Sequence, residues 1–171
     1  MVARQRLADH LSRPLYADGM TVSTGDLAPD FSALQDRGGQ LQLSSFRGKT
    51  VLLFFFPRAS TSYCQMQARR FQALLPEFQQ RNVQIIGVSS DTAQQQTVFR
   101  DSCQIDYPLI TDVDHRVARL YGVLESAIVE QESNLRARRE SFLIDAQGKV
   151  LRHYTQVDAN THAAEVMRDL D

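Results

Sequence analysis

Two stretches rich in apolar residues stand out along the chain, and each predicts a strand that is covered on both faces. The first, Val51–Phe56, is uninterrupted and lies between Gly48 and Pro57, and the second is Val83–Ser89. Apolar runs of this length are typical of strands in the middle of a sheet that carries helices on both sides. We therefore expect a sheet whose central strands are buried.

Apolar residues between these two strands recur every three or four positions, which is the spacing of one inward stripe on a helix. The stripe consists of Cys64, Ala68, Phe71, Leu75 and Phe78. It predicts a helix that has Ser62 as its N-cap and runs to about Asn82. Pro76 lies inside the pattern, where a proline removes a backbone hydrogen bond, so we predict a kink near Gln72 without a complete break.

The rest of the chain alternates between helical and strand patterns. We predict a helix over Asp91–Cys103, a short strand over Tyr107–Ile110, a helix over Asp114–Tyr121 that ends at Gly122, a hairpin of Glu140–Asp145 and Lys149–Tyr154, and a closing helix over Thr161–Leu170 with Asn160 as its candidate cap. The charged segment Leu124–Ala137 lacks a sustained period and is expected to form a long surface loop. Residues 1–24 are polar and are expected to form an N-terminal extension to one domain over residues 25–171. This order of elements predicts an α/β sandwich built on a mixed sheet.

Composition and charge narrow the class of protein. A chain of 171 residues with 43% hydrophobic and 23% charged residues is typical of a globular protein of about one domain. A net charge of -1 without a block of like charges argues against nucleic acid or an anionic membrane as a partner. No apolar run is long enough to cross a bilayer or resembles a secretory signal, so we expect a cytoplasmic protein. Two cysteines are too few for a secreted disulfide scaffold.

One of the two cysteines, Cys64, falls where the first buried strand gives way to a helix. Backbone N–H groups in the first turn of a helix have no partner within the helix, and together with the helix dipole they favour a negative charge nearby. With a cation in reach, this position favours the reactive thiolate over the thiol. Thr61, three residues earlier, offers a hydroxyl that can bind a substrate oxygen or simply cap the helix. Taken singly, each of these residues also has an ordinary structural role.

Pro57, Thr61 and Cys64 together form the pattern PxxxTxxC, which resembles the active-site signature of the peroxiredoxins. Three further segments are similar to the same family, namely Gly25–Phe31 to its opening segment, Phe46–Lys49 to its approach to the central strand, and Arg139–Asp145 to the strand that brings in its catalytic arginine. The similarity extends over residues 25–155. In order and spacing the chain is most similar to the bacterioferritin comigratory protein branch, also called PrxQ.

The resemblance implies a thioredoxin-like, three-layer sandwich with a central mixed β-sheet flanked by helices. It also implies Cys64 as the peroxidatic cysteine, Thr61 as its hydroxyl partner, Arg139 as the cation and Pro57 as the shield of the sulfur. Chemistry alone leaves Arg136, Arg138 and Arg139 open as the cation, although Arg138 would point to the opposite face of a strand from Arg139. Only the resemblance selects Arg139.

The chain departs from this branch at three positions near the reactive cysteine. Gln67 stands where the branch usually has Glu, one turn along the helix, so it can hydrogen-bond to Arg139 but cannot form an ion pair. Tyr63 stands where a small residue is common, and Arg69 stands where the branch commonly has a second, resolving cysteine.

Cys103 is therefore the remaining candidate for the resolving cysteine, which would condense with a sulfenic acid on Cys64 and give an intramolecular disulfide. Alternatively Cys103 only packs, since it lies four residues after Phe99 on the inward face of its helix. The protein would then be a one-cysteine peroxidase. By resemblance, a thioredoxin- or glutaredoxin-type protein supplies the reducing equivalents, and the protein is a monomer or a weak homodimer.

Other functions fit the sequence less well. A thiol-disulfide oxidoreductase of the same fold needs a CxxC motif, and Gln67 occupies the place of its second cysteine. A non-enzymatic redox sensor or chaperone on the same fold stays open as an alternative. The four histidines lack the spacing of metal ligands, and neither GxSxG nor GxGxxG occurs, so no metal and no organic cofactor is expected. The sequence thus predicts a peroxidase that reduces hydrogen peroxide and organic hydroperoxides through Cys64.

Overall fold

The fold is built around one five-stranded sheet, seen in a computed structural model that describes residues 22–126 and 135–171. The strands are β1 (Ser32–Leu34), β2 (Gln40–Gln42), β3 (Thr50–Phe55), β4 (Val83–Ser89), β5 (Leu109–Thr111), β6 (Leu124–Ser126), β7 (Leu135–Ala137), β8 (Ser141–Ile144) and β9 (Val150–Tyr154). The helices are α1 (Ser62–Ala73), α2 (Leu75–Gln80), α3 (Ala93–Cys103), α4 (Arg116–Leu120) and α5 (His162–Asp169), with a 3-10 helix over Leu43–Phe46. Within the described ranges, none of these helices has the length and apolar character needed to cross a membrane. Most of the predicted N-terminal extension, residues 1–21, lies outside the described residues.

The sheet is mixed, and its strands follow the order β5–β4–β3–β8–β9. β3, β4 and β5 run parallel, whereas β8 pairs antiparallel with both β3 and β9. Leu52 in the middle of β3 lies opposite Ile85 of β4 on one side and Leu143 of β8 on the other. The predicted mixed sheet, the strand over Val83–Ser89 and the closing hairpin are confirmed.

The core lies on both faces of this sheet. Every residue of β3 after Thr50 is buried, and successive side chains of a strand point to opposite faces. Phe54 therefore packs on one face, stacked on Phe71 with 4.7 Å between ring centres, while Phe55 packs on the other against Phe142. Helices α1, α2, α3 and α5 cover the first face, and α4 with the β1–β2 hairpin covers the second. These layers form the predicted sandwich.

The single kinked helix predicted after β3 is wrong, because the chain forms two separate helices. Helix α1 ends at Ala73, Leu74 follows it, and α2 begins at Leu75. Pro76 lies in the first turn of α2, where the missing N–H of a proline costs no helical hydrogen bond. The proline thus starts a new helix instead of bending the old one.

Both predicted helix caps are also wrong by one residue. Thr61, not Ser62, is the N-cap of α1, and Thr161 holds that position in α5 without a capping side-chain hydrogen bond. Asn160 is used differently: its Oδ1 accepts hydrogen bonds from Nε and Nη2 of Arg70 at 3.1 and 2.8 Å. This contact ties the start of α5 to α1.

The segment predicted as one long loop is paired at its two ends. β6 and β7 are antiparallel, with Leu124 opposite Ala137, and residues 127–134 between them lie outside the described residues. Strands of three residues are too short to display a clear alternation of apolar and polar positions. The same reason explains why the antiparallel pair of β1 and β2 escaped prediction.

A buried ion pair fastens the last turn of α3 to the turn between β1 and β2. Nε of Arg100 lies 2.7 Å from Oδ2 of Asp36, and Nη2 lies 2.9 Å from Oδ1. Nη1 of Arg100 also donates to the carbonyl of Ile105 at 2.6 Å. Both charged side chains are removed from solvent, so each depends on the other for its stability there.

Candidate active site

The loop that carries the predicted signature follows β3 and is held against the neighbouring strand. The N–H of Ala59 donates to Oδ2 of Asp91 at 2.8 Å, and the hydroxyl of Ser89, the last residue of β4, lies 2.6 Å from the same oxygen. Pro57 is half-buried at the start of this loop. The sequence alone gave no sign that Asp91 fixes the loop, because the two segments meet only in the folded sheet.

Cys64 is the third residue of α1, and its side chain is buried, with 1% exposed. Oγ1 of Thr61 accepts a hydrogen bond from the N–H of Cys64 at 3.3 Å and donates to the carbonyl of Arg58 at 3.0 Å. The capping hydroxyl therefore lies within one turn of the sulfur. The dipole of α1 favours negative charge at this end of the helix.

The guanidinium of Arg139 reaches the sulfur from the sheet. Its Nη2 lies 3.2 Å from Sγ of Cys64, and its Nη1 donates to Oε1 of Gln67 at 2.6 Å. Arg139 stands two residues before β8, which lies beside β3 in the middle of the sheet. The structure thus brings together Cys64, Gln67 and Arg139, three of the residues that the sequence proposed.

The residues on either side of Arg139 hold its backbone in place. Nε of Arg138 lies 2.7 Å from Oε2 of Glu140, whose Oε1 lies 2.9 Å from Nε2 of His153 on β9. The carbonyl of Glu140 accepts a hydrogen bond from the N–H of Phe55 at 2.8 Å. Arg138 therefore forms an ion pair with the buried Glu140, while Arg139 contacts the sulfur of Cys64. The sequence gave no indication of this pairing of Glu140 with His153.

Tyr63 covers the remaining side of the arginine. The guanidinium carbon of Arg139 lies 4.5 Å from the centre of the Tyr63 ring. The Tyr63 hydroxyl accepts a hydrogen bond from the N–H of Ala159 at 3.1 Å, although 45% of the residue is exposed. Tyr63 was notable in the sequence only as an unusual neighbour of the cysteine, and its two contacts arise from tertiary packing.

Cys103 is the last residue of α3 and is buried against α1. Its Sγ lies 4.0 Å from the carbonyl oxygen of Gln65, the residue that follows Cys64. Nη2 of Arg69 donates to the carbonyl of Ser102 at 3.2 Å. Burial raises the pKa of the Cys103 thiol, and the nearby Arg69 guanidinium offsets part of that rise. Both cysteines are free thiols.

A groove of about 290 Å³ opens beside the signature loop, where α1 and α3 meet. Its lining includes Ala59 and Ser60 of the loop, Gln65 of α1 and Val98 of α3. Val98 is 62% exposed and makes one wall of the groove apolar. Neither here nor in the rest of the described ranges is a cluster of three or more histidine, cysteine or acidic side chains arranged to hold a metal ion.

Known proteins share this fold and this stretch of sequence. The model of the AhpC/TSA family matches residues 24–153. Peroxiredoxin Bcp of Escherichia coli K12 is 30% identical over 141 residues, which are 82% of this chain and 90% of the relative. The crystal structure of peroxidoxin BcpB from Mycobacterium tuberculosis has a TM-score of 0.79 at 30% identity and covers 87% of this chain and 96% of its own. The bacterioferritin comigratory protein of Xanthomonas campestris has a TM-score of 0.77 at 25% identity and covers 90% of this chain and 97% of its own.

Proposed function

Because the chain belongs to the AhpC/TSA family and is a peroxiredoxin, a thiol-dependent peroxidase, we propose that Cys64 is the thiol that attacks the peroxide. The ionised sulfur bonds to one peroxide oxygen as the O–O bond breaks. The other oxygen takes up a proton and leaves as water or an alcohol, and Cys64 becomes a sulfenic acid.

The contact between Arg139 and the sulfur carries this proposal. A guanidinium nitrogen 3.2 Å from Sγ is placed to stabilise the negative charge that builds on the leaving oxygen. The Thr61 hydroxyl can donate a hydrogen bond to a peroxide oxygen once it turns away from the Arg58 carbonyl. Pro57, half-buried in the loop, limits the access of water to the sulfur. Gln67 supports the site by holding Arg139.

Cys103 is proposed as the resolving cysteine. Its thiol condenses with the sulfenic acid of Cys64, so that an S–S bond forms and water is released. The 4.0 Å separation between Sγ of Cys103 and the carbonyl of Gln65 supports this role, because it places Cys103 against the segment that carries Cys64. A disulfide needs Cα atoms within about 7 Å of each other. Cys64 sits in a capped helical turn, and we propose that this turn opens during the step.

A dithiol protein of the thioredoxin or glutaredoxin type then reduces the disulfide and restores both thiols. Such reductants keep thiols reduced in the cytoplasm, where we propose that the enzyme works. The disulfide lies within one chain, so a monomer or a weak homodimer suffices. The Xanthomonas campestris relative is described with alkyl peroxide reduction activity. This likeness supports organic hydroperoxides as substrates beside hydrogen peroxide.

Two cysteine variants test the cycle. Cys64→Ser is expected to abolish peroxide consumption, whereas Cys103→Ser should react once and retain a sulfenic acid that dimedone traps. Mass spectrometry of the unmodified protein after one equivalent of peroxide should reveal a Cys64–Cys103 link within one chain. Peroxide turnover by Cys64→Ser would reject the attacking thiol. A lasting sulfenic acid, or a link only between two chains, would reject Cys103 in favour of the alternatives.

A further inference from the structure

Within residues 22–126 and 135–171, three side chains contact the guanidinium of Arg139, and those of Gln67 and Tyr63 are neutral. Besides Sγ of Cys64, it contacts the amide oxygen of Gln67 and the face of the Tyr63 ring. Gln67 is fully buried, and its Nε2 has no hydrogen-bond partner in the part of the chain that the structure describes. The amide therefore holds the arginine through one neutral oxygen.

A neutral oxygen binds a guanidinium less strongly than a carboxylate does, because charge-assisted hydrogen bonds are about twice as strong as neutral ones. Gln67 carries no charge, so Arg139 lacks an ion pair from α1 at this place. The aromatic face of Tyr63 supplies an attraction that compensates for this loss, since the face of the ring is the negative end of its quadrupole.

The Tyr63 ring is itself held from the far side. Its hydroxyl accepts the N–H of Ala159, which is fully buried just before α5. The ring thus has one end on α1, next to Cys64, and the other on the C-terminal segment, and Arg139 lies over its face. A side chain held at both ends limits the positions that the guanidinium can adopt.

We propose that Tyr63 is a positioning residue for peroxide reduction, whose ring holds Arg139 against the Cys64 sulfur in place of the carboxylate that Gln67 lacks. The proposal rests on the proposed function, because it needs Cys64 as the attacking thiol and Arg139 as its cation. Tyr63 acts through Arg139 and does not touch the reacting atoms.

Two single substitutions at Tyr63 distinguish the contribution of the ring to the rate from that of the hydroxyl. Tyr63→Leu is expected to lower the second-order rate constant for hydrogen peroxide roughly fivefold, the effect of losing one partly exposed cation–π contact. Tyr63→Phe keeps the ring face and should keep most of the rate. Equal losses in the two variants would overturn the proposal, because a structural role of the hydroxyl would then explain both.

Two double variants test the route through Arg139. In a Gln67→Glu background, Tyr63→Leu should cost less than about twofold, because the new carboxylate holds the arginine by itself. In an Arg139→Gln background, Tyr63→Leu should cost nothing further. A full fivefold loss in either background would refute the proposal. Since Cys64→Ser tests the attacking thiol independently, a Tyr63→Leu variant with an unchanged rate would reject this inference and leave the proposed function intact.

Discussion

Replacing Arg139 by Gln tests the chemistry of the site most directly. The substitution removes the positive charge that lies 3.2 Å from Sγ of Cys64 and leaves a side chain of similar polarity. Glu140 and Arg138 keep their own partners, so the backbone around position 139 should remain in place. The thiolate and the leaving oxygen then lose their nearest described cation.

The expected loss follows from the geometry of that contact. Removing one pre-organised donor from a site of developing negative charge costs about 100-fold to 1000-fold in rate. Arg139 is half-buried, so water replaces part of the lost charge and the lower end applies. We expect a loss of about 100-fold, which corresponds to about 2.7 kcal/mol of transition-state stabilisation.

The assay is the second-order rate of peroxide consumption in single turnovers, measured by competition with a thiol peroxidase of known rate. Arg58→Gln is the matched control, because it removes the same charge from an exposed position in the neighbouring loop. The control should stay within about twofold of the unmodified protein, since exposed charges act weakly over distance. Equal losses in the two variants, or a loss below about threefold in Arg139→Gln, would refute the reasoning.

Three further outcomes are expected. Arg69→Gln should slow disulfide formation in timed alkylation experiments. Burial raises the pKa of the Cys103 thiol, and the variant removes the positive charge that offsets part of this rise. An unchanged rate of disulfide formation would show that Arg69 does not assist Cys103 in this step. Burial lowers the pKa of His162, so its neutral form contributes stability that is complete above its ordinary pKa of about 6.5 and is lost as the pH falls below it. In His162→Gln, the urea concentration at the unfolding midpoint should therefore fall less steeply between about pH 7 and pH 5 than in the unmodified protein. An unchanged pH dependence of this midpoint would count against the argument. Asp36→Ala should cost about 3 kcal/mol, or about 10 °C in Tm, by leaving Arg100 buried without its carboxylate, whereas a loss below about 1 kcal/mol would speak against the pair.

The central sheet could be predicted from the sequence because its strands are buried on both faces. Stretches of this length that are rich in apolar residues are typical of strands that are buried on both faces of a sheet. The chain has two of them, Val51–Phe56 and Val83–Ser89. The strands at the periphery, such as β1 and β6, contain three residues each and leave no periodic signal. The break at Leu74 was missed because a proline can bend a helix or begin one, and only packing decides between them.

The site could be predicted in part, and what the sequence missed depends on contacts between distant segments. Chemistry favoured a reactive Cys64, but the choice of Arg139 over its neighbours needed the family resemblance. The alternation argument about Arg138 assumed a strand, and both arginines precede β8. The roles of Asp91 and Tyr63 arise where the signature loop and α1 meet β4 and the C-terminal segment.

In the proposed cycle, the ion pair between Asp36 and Arg100 favours movement of Cys64 over movement of Cys103 when the two cysteines join. Cys103 follows Arg100 by less than one turn, so moving it would pull a buried charge away from its counterion. The turn around Cys64 is capped by the neutral hydroxyl of Thr61, and releasing such a bond costs far less. We therefore expect α3 to stay in place while the turn that carries the oxidised Cys64 moves towards Cys103. The proposed reductant would then meet a disulfide on a helix that the buried ion pair holds in place.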